Sequence, residues 1–313
     1  MQAVRQHKYG STEVLVFDNV PRPEPEEGEL LVRVRAAGLN PVDWKVREGY
    51  LREMLALRLP FTPGYDIAGT VEAIGPGVET FNPGDEIYAF VSLSRAGAYA
   101  EYAIVKIGEA AVKPRTLSFN QAAAVPLAAL TAWQALFDVA HLISGQRLLV
   151  HAAAGGVGHF AVQLATWAGA HVIGTASADN LEFLRRIGAH QAVDYAAAPF
   201  AKFVDPVDVV LDTIAGDTRE RSWPLINRDG FLVSTLPPEP EVPPAAAAKG
   251  IRAAQMLVRP NGGQLVEIAE LIDSGHLQPE ITVLPFSEVR MAHELSQHGH
   301  TRGKIVLAME PRH

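Results

Sequence analysis

The N-terminal part of the chain alternates short runs of aliphatic and β-branched residues with turns rich in glycine and proline. The runs at residues 30–35, 69–74 and 85–90 have the composition and length of β-strands. Turn-forming residues stand between them, at 75–77 and 82–84. The pattern predicts a compact, mostly β domain.

The pattern changes near residue 120, where predicted strands begin to alternate with helical stretches. Apolar residues recur at helical spacing over residues 158–169 and 180–188. Strands are predicted at residues 147–151, 171–175, 192–194, 207–212 and 230–235. Successive βαβ units build a doubly wound parallel sheet covered by helices, so the pattern predicts an α/β domain of Rossmann type.

Five further segments complete the prediction. Residues 237–245 are rich in proline, which removes backbone donors and fixes φ, so a surface loop is expected there. Amphipathic helices are predicted at residues 263–274 and 287–297. A closing strand at residues 303–307 has no partner nearby in sequence and is expected to return to the first domain. The alanine-rich residues 122–143 are interpreted as buried helix.

The composition of the chain excludes several kinds of functional site and of binding partner. The chain has 313 residues, which suits about two domains, and its 48% hydrophobic and 20% charged residues are typical of a globular protein. The absence of cysteine excludes disulfides, thiolate nucleophiles, iron–sulfur clusters and cysteine-ligated zinc. A net charge of −8 argues against nucleic-acid binding. No signal peptide and no apolar stretch of membrane-spanning length is present, so we predict a cytoplasmic protein without a membrane partner.

A glycine-rich segment carries the sharpest signal for a ligand. A buried strand runs into Ala-Ala-Ala-Gly-Gly-Val-Gly and then into an apolar helix. Backbone N–H groups and the positive end of the helix meet there, which suits a pyrophosphate. Gly155 would let the backbone approach the phosphate, and Gly158 would let the helix pack closely on the strand. The predicted contacts are Ala154, Gly155, Gly156, Val157 and Gly158. The alternative is a tight turn without a ligand, and Ala153 replaces the first glycine of the usual fingerprint.

The end of the second strand of this domain indicates which cofactor is bound. An Asp or Glu there would hydrogen-bond the ribose hydroxyls of NAD, but this chain has Ala176 at that position. The hydroxyl of the next residue, Ser177, is able to donate to a 2′-phosphate. No lysine or arginine adjoins this position, and Asp179 has the wrong sign for a phosphate. We therefore predict NADPH, with NADH as the less favoured alternative.

Several motifs together resemble a known family. They are the segments at residues 37–43 and 63–71, the Gly84-Asp85 pair and the glycine-rich loop, in this order and at matching separations. They are similar to the medium-chain dehydrogenase/reductase superfamily, in its zinc-free quinone oxidoreductase branch. The resemblance implies a mostly β, GroES-like catalytic domain over residues 1–120 and 285–313, and a Rossmann dinucleotide-binding domain over residues 121–284. It also implies a homodimer.

The resemblance has a consequence for metal binding. Zinc-dependent members carry a cysteine where this chain has Asn40, and a His-Glu pair where it has Tyr65 and Asp66. We therefore expect no zinc, and without a Lewis acid, direct alcohol–ketone chemistry is disfavoured. Quinones and conjugated enones or enals remain suitable hydride acceptors, because their charge needs only hydrogen-bond donors.

The resemblance also assigns candidate site residues. It places Asn40 and Asp43 at the nicotinamide end of the cleft between the domains, with Tyr65 as a further donor and Lys45 nearby. The expected cofactor contacts outside the loop are Thr131, Ser177, Tyr195, Thr213, Ser234 and Leu236. Solvent would supply the final proton.

Each catalytic candidate also has a structural interpretation. Asn40 suits a turn before Pro41, Asp43 suits a helix cap or an ion pair, Tyr65 suits core packing, and Lys45 suits the surface. His151 is interpreted as a packed strand residue rather than a base.

Other functions stay open. The alternatives are a cofactor-binding sensor or scaffold without catalysis, and a reductase of enoyl thioesters or ketones. His293 and His298 are five residues apart, whereas a metalloprotease helix needs four, and the chain has no Gly-x-Ser-x-Gly elbow. The predicted partner is a small quinone or enone.

Overall fold

The computed structural model describes residues 1–55 and 57–309, which form two compact units. The first unit contains the chain up to Leu130, Arg259–Gly275 and the described residues from Pro279 onward. The second contains Thr131–Val258 and His276–Gln278.

The first unit begins with β-strands and short helices. Its elements are β1 (Gln2–Gln6), β2 (Leu15–Asn19), β3 (Glu29–Leu39), α1 (Pro41–Glu48), α2 (Arg52–Leu55), β4 (Asp66–Ile74), β5 (Glu86–Phe90), β6 (Tyr102–Lys106), β7 (Ala110–Val112) and α3 (Phe119–Ala123). The next helix, α4 (Pro126–Trp133), begins in the first unit and ends in the second. In β3, buried Val32 and Val34 alternate with exposed Arg33 and Arg35, because successive side chains of a strand point to opposite faces.

The second unit is built from strands that alternate with helices. Its elements are β8 (Arg147–Val150), α5 (Gly158–Trp167), β9 (His171–Ala176), α6 (Leu181–Arg186), β10 (Gln191–Asp194), β11 (Val207–Asp212), α7 (Gly216–Ser222), β12 (Ile226–Ser234), α8 (Pro244–Ala247) and β13 (Arg252–Gln255). All the strand pairs are parallel, in the order β10-β9-β8-β11-β12-β13. The strand order reverses between β8 and β11, where sheets of this kind bind ligands.

The chain then returns to the first unit through α9 (Gly262–Asp273), β14 (Ile281–Pro285), α10 (Val289–His298) and β15 (Lys304–Ala308). Its large sheet has the order β14-β15-β3-β4-β5-β7, and β6 also pairs with β3. β15 lies antiparallel to β3, with Ile305 opposite Leu39. The predicted return of the closing strand to the first domain is therefore confirmed.

The α/β fold class with a Rossmann-type sheet is confirmed, but two local predictions are wrong. Residues 122–143 are not one helix: α3 ends at Ala123, α4 starts at Pro126, a π-helix follows over Gln134–Val139, and Ile143 is 63% exposed. Pro126 has no N–H to continue the earlier helix, so the helix starts again there. The predicted loop at residues 237–245 contains the start of α8, because proline is well suited to a first helical turn.

Within the described residues, no helix has both the length and the apolar character needed to cross a bilayer.

Candidate functional site

The start of α1 positions the first two catalytic candidates. Asn40 precedes Pro41, which begins the helix, and the Asn40 backbone N–H donates to Asp43 Oδ2 at 2.7 Å. Asp43 thus satisfies a backbone donor at the helix start, which is the capping role that its sequence position suggested. Both side chains are buried, with exposures of 2% for Asn40 and 1% for Asp43.

The Asn40 side chain is directed away from the helix and links two buried charged groups. Its Nδ2 donates to Asp66 Oδ2 at 2.8 Å, and its Oδ1 accepts from Lys304 Nζ. Lys304 Nζ also donates to the Leu39 carbonyl at 2.8 Å and lies 3.6 Å from Asp66 Oδ2. Lys304 is 3% exposed, and burial lowers its pKa although Asp66 and Asp43 oppose the shift.

Asp66 is fully buried, and the protein provides hydrogen-bond donors to both of its carboxylate oxygens. Besides Asn40 and Lys304, the Leu127 N–H donates to its Oδ1 at 2.8 Å. Burial raises the pKa of Asp66 above its usual value, and Lys304, Asn40 and the Leu127 N–H offset only part of that shift. The hydrogen bonds to this carboxyl oppose the effect of burial on its pKa, because they stabilise the ionised form.

Asp43 has fewer partners. Burial raises its pKa to about 7, against the opposing effects of the Asn40 N–H and of Lys304. The Tyr65 hydroxyl is buried without a hydrogen-bond partner among the residues that the structure describes. The Tyr99 hydroxyl lies beside the Asp43 carboxyl, and hydrogen bonding between them lowers the pKa of Asp43. Burial and the nearby Asp43 charge raise the pKa of both tyrosines.

We call this set the polar cluster: Asn40, Asp43, Tyr65, Asp66, Tyr99 and Lys304. It brings together the three predicted catalytic residues, and it contains two charged groups and a tyrosine that the sequence interpretation did not assign a catalytic role. Lys45 is not among these contacts: its Nζ lies 5.7 Å from the ring centre of Trp44. Over residues 1–55 and 57–309, no group of three or more histidines and carboxylates is arranged to hold a metal.

The glycine-rich loop occupies the turn between β8 and α5. Ala152 adopts a left-handed backbone with φ 48°, and the Gly155 N–H donates to its carbonyl at 2.9 Å. A Cβ at Gly158 would lie 2.3 Å from the Ala152 oxygen, so only glycine allows the helix to start this close to the loop. A Cβ at Gly155 would meet the same oxygen at 3.2 Å. Because the first N–H groups of a helix lack intrahelical acceptors, the loop offers donors for an anion.

The ends of β9 and β10 bring two further predicted contacts to one edge of the sheet. Ala176 is the register partner of Asp194, and the Tyr195 N–H donates to the Ala176 carbonyl at 3.2 Å. Ser177 follows directly, and its Oγ accepts from Asn180 Nδ2 at 3.0 Å, which leaves the hydroxyl hydrogen to donate. Tyr195 is 46% exposed. Thr131 is buried in α4.

The ends of β11 and β12 are joined by an arginine that the sequence interpretation did not name. Arg219 is 5% exposed and donates to Asp212 Oδ2 and Ser234 Oγ, each at 2.7 Å. It also donates to the carbonyls of Leu236, at 3.0 Å, and Pro238, at 2.9 Å. The Ser234 hydroxyl and the Leu236 carbonyl are therefore engaged within the protein.

Hydrogen bonds also fix Asp212, at the end of β11, and Thr213, which follows it. Burial alone would raise the pKa of Asp212, but the Ala215 N–H, Arg219 and the Ile214 N–H bring it below its usual value. The Thr213 hydroxyl donates to the His151 carbonyl at 2.9 Å.

His151 is fully buried beside the glycine-rich loop. Its Nδ1 lies 3.1 Å from Thr175 Oγ1 and its Nε2 lies 2.8 Å from Ser222 Oγ. Burial lowers its pKa to about 4, so the ring is neutral at physiological pH. This geometry matches the interpretation of His151 as a packed residue.

The comparisons with known proteins agree with this arrangement. Residues 26–115 match the alcohol dehydrogenase GroES-like domain, and residues 187–307 match the zinc-binding dehydrogenase family. The chain is 34% identical to a chloroplast quinone-oxidoreductase homolog of Spinacia oleracea, over 98% of both chains. It is 34% identical to the chloroplast NADPH-dependent alkenal/one oxidoreductase of Arabidopsis thaliana, over 98% of this chain and 79% of that protein. The structure of the quinone oxidoreductase from Coxiella burnetii matches with a TM-score of 0.90 and 36% identity, over 99% of both chains.

The similarity to these relatives extends along nearly the whole chain and so includes both units. The GroES-like match lies in the first unit, and the parallel sheet lies in the second. Relatives named as quinone and alkenal/one oxidoreductases make this chain an oxidoreductase that uses a nicotinamide cofactor. It belongs to the medium-chain dehydrogenase/reductase superfamily, in the quinone oxidoreductase branch.

Proposed function

We propose that this protein is a zinc-independent, NADPH-dependent reductase of quinones or of conjugated enones and enals. The observation that carries the proposal is the loop before α5, where Gly158 lies too close to Ala152 for any side chain. In a parallel sheet, such a close approach next to the reversal of strand order is the geometry that receives a dinucleotide pyrophosphate.

The residues of the second unit fit a nicotinamide dinucleotide. Gly155 to Gly158 would receive the pyrophosphate, and Ser177 and Tyr195 lie at the strand ends that receive the adenosine ribose. The bound cofactor would supply a hydride. Ser177 has a hydroxyl hydrogen for a 2′-phosphate, and Ala176 carries no charge to repel one, which supports NADPH over NADH.

The polar cluster supports reduction without zinc. At positions 40 and 65 the chain has an amide and a phenol, and the Lys304 ammonium is hydrogen-bonded to the Asn40 oxygen that a cation would otherwise contact. One Nδ2 hydrogen of Asn40 and the Tyr65 hydroxyl are candidate donors to the oxygen of an acceptor. Quinones and enones need only such donors when they accept a hydride.

A direct assay tests the function. Purified protein treated with a chelator should oxidise NADPH, and NADH more slowly, when a simple benzoquinone or a short alkenal is added. Absorbance at the nicotinamide band measures the rate. Turnover that disappears after chelation and returns with zinc would contradict zinc independence. No turnover over a broad panel, with NADPH still raising the melting temperature, would show a cofactor-binding protein without this activity.

Two other sequence-based expectations remain part of the proposal. They are a homodimer and a cytoplasmic location.

A further inference from the structure

A histidine lies one helical turn after Gly155 of the glycine-rich loop. His159 is fully buried near the start of α5, and its ring centre lies 4.0 Å from that of Phe160. Burial removes the polar nitrogens of an imidazole from water, which is costly unless they form hydrogen bonds inside the protein. The bonds that His159 makes therefore show what a polar side chain contributes at this buried position.

His159 makes two hydrogen bonds to one carbonyl of the loop. Its backbone N–H donates to the Gly155 oxygen at 3.0 Å, and its Nδ1 lies 2.8 Å from the same oxygen. A carbonyl oxygen only accepts hydrogen bonds, so Nδ1 carries a hydrogen and donates it. The side chain therefore fixes the direction of the Gly155 carbonyl together with the backbone of the helix.

The second bond acts on the next amide of the loop. The C=O and N–H of a trans peptide point in opposite directions. Because the Gly155 carbonyl is directed along α5, the Gly156 N–H is directed out of the N-terminal end of the helix, where N–H groups lack intrahelical acceptors. This N–H makes no hydrogen bond among the residues that the structure describes. Hydrogen bonds to a carbonyl polarise its peptide, so the Gly156 N–H becomes a stronger donor for an anion.

A second buried polar side chain of α5 has a different use. Gln163, one turn after His159, donates to the Gln278 carbonyl at 3.0 Å and accepts the Gln278 N–H at 2.9 Å. This pair joins the helix to the segment before β14. Gln163 therefore connects two parts of the second unit, whereas His159 acts on the loop.

We propose that His159 is a positioning residue for the pyrophosphate of the cofactor. Its Nδ1–H holds the Gly155–Gly156 peptide in the direction that lets the Gly156 N–H donate to a pyrophosphate oxygen. This inference rests on the proposed function and deepens it, because it assigns part of the cofactor affinity to a side chain outside the loop. His159 acts through Gly155 and is not a catalytic residue.

Two substitutions of similar shape separate the hydrogen bond from packing. Leucine and asparagine both branch at Cγ, but only asparagine places a donor where Nδ1 of His159 lies. His159→Leu should weaken NADPH binding about tenfold, as expected for the loss of one buried hydrogen bond, and His159→Asn should restore most of the affinity. Titration calorimetry measures both dissociation constants. In assays with a quinone, KM for NADPH should rise in His159→Leu with little change in kcat. Equal losses of affinity in the two variants would overturn the inference.

A ligand without a pyrophosphate distinguishes this role from a general effect on the fold. Adenosine 2′-monophosphate has the adenosine and the 2′-phosphate of NADPH but lacks its pyrophosphate. It should bind His159→Leu as tightly as the parent protein, which would also show that the variant is folded. 2′-Phospho-ADP-ribose, which keeps the pyrophosphate and lacks the nicotinamide, should lose affinity by the same factor as NADPH. An equal loss for adenosine 2′-monophosphate would overturn the inference, because the damage would then extend beyond the pyrophosphate.

His298→Leu is the matched control. Nδ1 of His298 lies 2.7 Å from the Glu294 carbonyl oxygen, which is the same arrangement, but at the exposed end of α10 in the first unit. This variant should bind NADPH as the parent does. A parent protein that reduces quinones while His159→Leu also keeps its NADPH affinity would contradict the inference alone. A parent that binds NADPH and reduces no acceptor would contradict the proposed activity alone, because the comparison of affinities does not use turnover.

Discussion

At the scale of single residues, the backbone around position 158 leaves room for a hydrogen atom and nothing more. The Ala152 oxygen and the Ala153 Cα would lie 2.3 and 2.7 Å from an added Cβ, and both belong to the backbone of the loop. A clash with backbone is not relieved by rotating a side chain.

We therefore expect Gly158→Ala to move the loop and weaken NADPH binding at least about tenfold, because loop amides must be placed within a few tenths of an ångström to bind a phosphate. Titration calorimetry would measure the affinity. Gly108→Ala is the control, since no atom lies within 4 Å of its added Cβ. Equal affinity in both variants would contradict this use of Gly158.

His151 should make stability depend on pH. Burial lowers its pKa from 6.5 to about 4, so between these values the unfolded state binds more protons than the folded state. The free energy of unfolding should then fall as pH decreases from about 6.5 to 4, by at most about 3 kcal/mol from this group. Urea unfolding at pH 7 and 4.5 should show a smaller fall for His151→Gln than for the parent. The exposed His300→Gln should keep the full dependence.

At the scale of elements, Arg219 joins α7 to the ends of two neighbouring strands. Its guanidinium reaches Asp212 at the end of β11, Ser234 at the end of β12, and the two carbonyls that follow. This one side chain therefore connects the ends of both strands, at the edge where sheets of this kind bind ligands.

Arg219→Met should lower the free energy of unfolding by about 3–5 kcal/mol, because it leaves the buried Asp212 carboxylate without its cation. Arg221→Met is the matched control on the same helix. Its ion pair with Asp217 is 2.7 Å long, but the two side chains are 44% and 81% exposed, so a loss of about 0–1 kcal/mol is expected. Urea midpoints compare the two, and similar values would contradict the difference in burial.

At the scale of the whole molecule, the sequence predicted the elements better than the contacts of the site. The strand at residues 207–212 was predicted at its observed bounds, since a run of valines between breakers is a local signal. Pro244 was misplaced because proline both ends helices and begins them, and only the fold decides which.

The contacts between site residues were also harder to predict than their identities. Asn40, Asp43 and Tyr65 were named from motifs, but the roles of Lys304 and Arg219 depend on partners distant in sequence. Lys304 is 264 residues from Asn40, and no local pattern reports such a contact. The signal that was present is the lysine at the start of the closing strand, an unusual residue for a buried position.

The late position of β15 governs how the nascent chain acquires this site. The ribosome adds Lys304 264 residues after Asn40, which at 5–20 residues per second takes roughly 13–53 s. Throughout that interval the end of β3 is an open edge, and Asp66 faces no ammonium. The polar cluster is therefore completed only after Lys304 has been synthesised, and shorter nascent chains lack the ammonium beside Asp66.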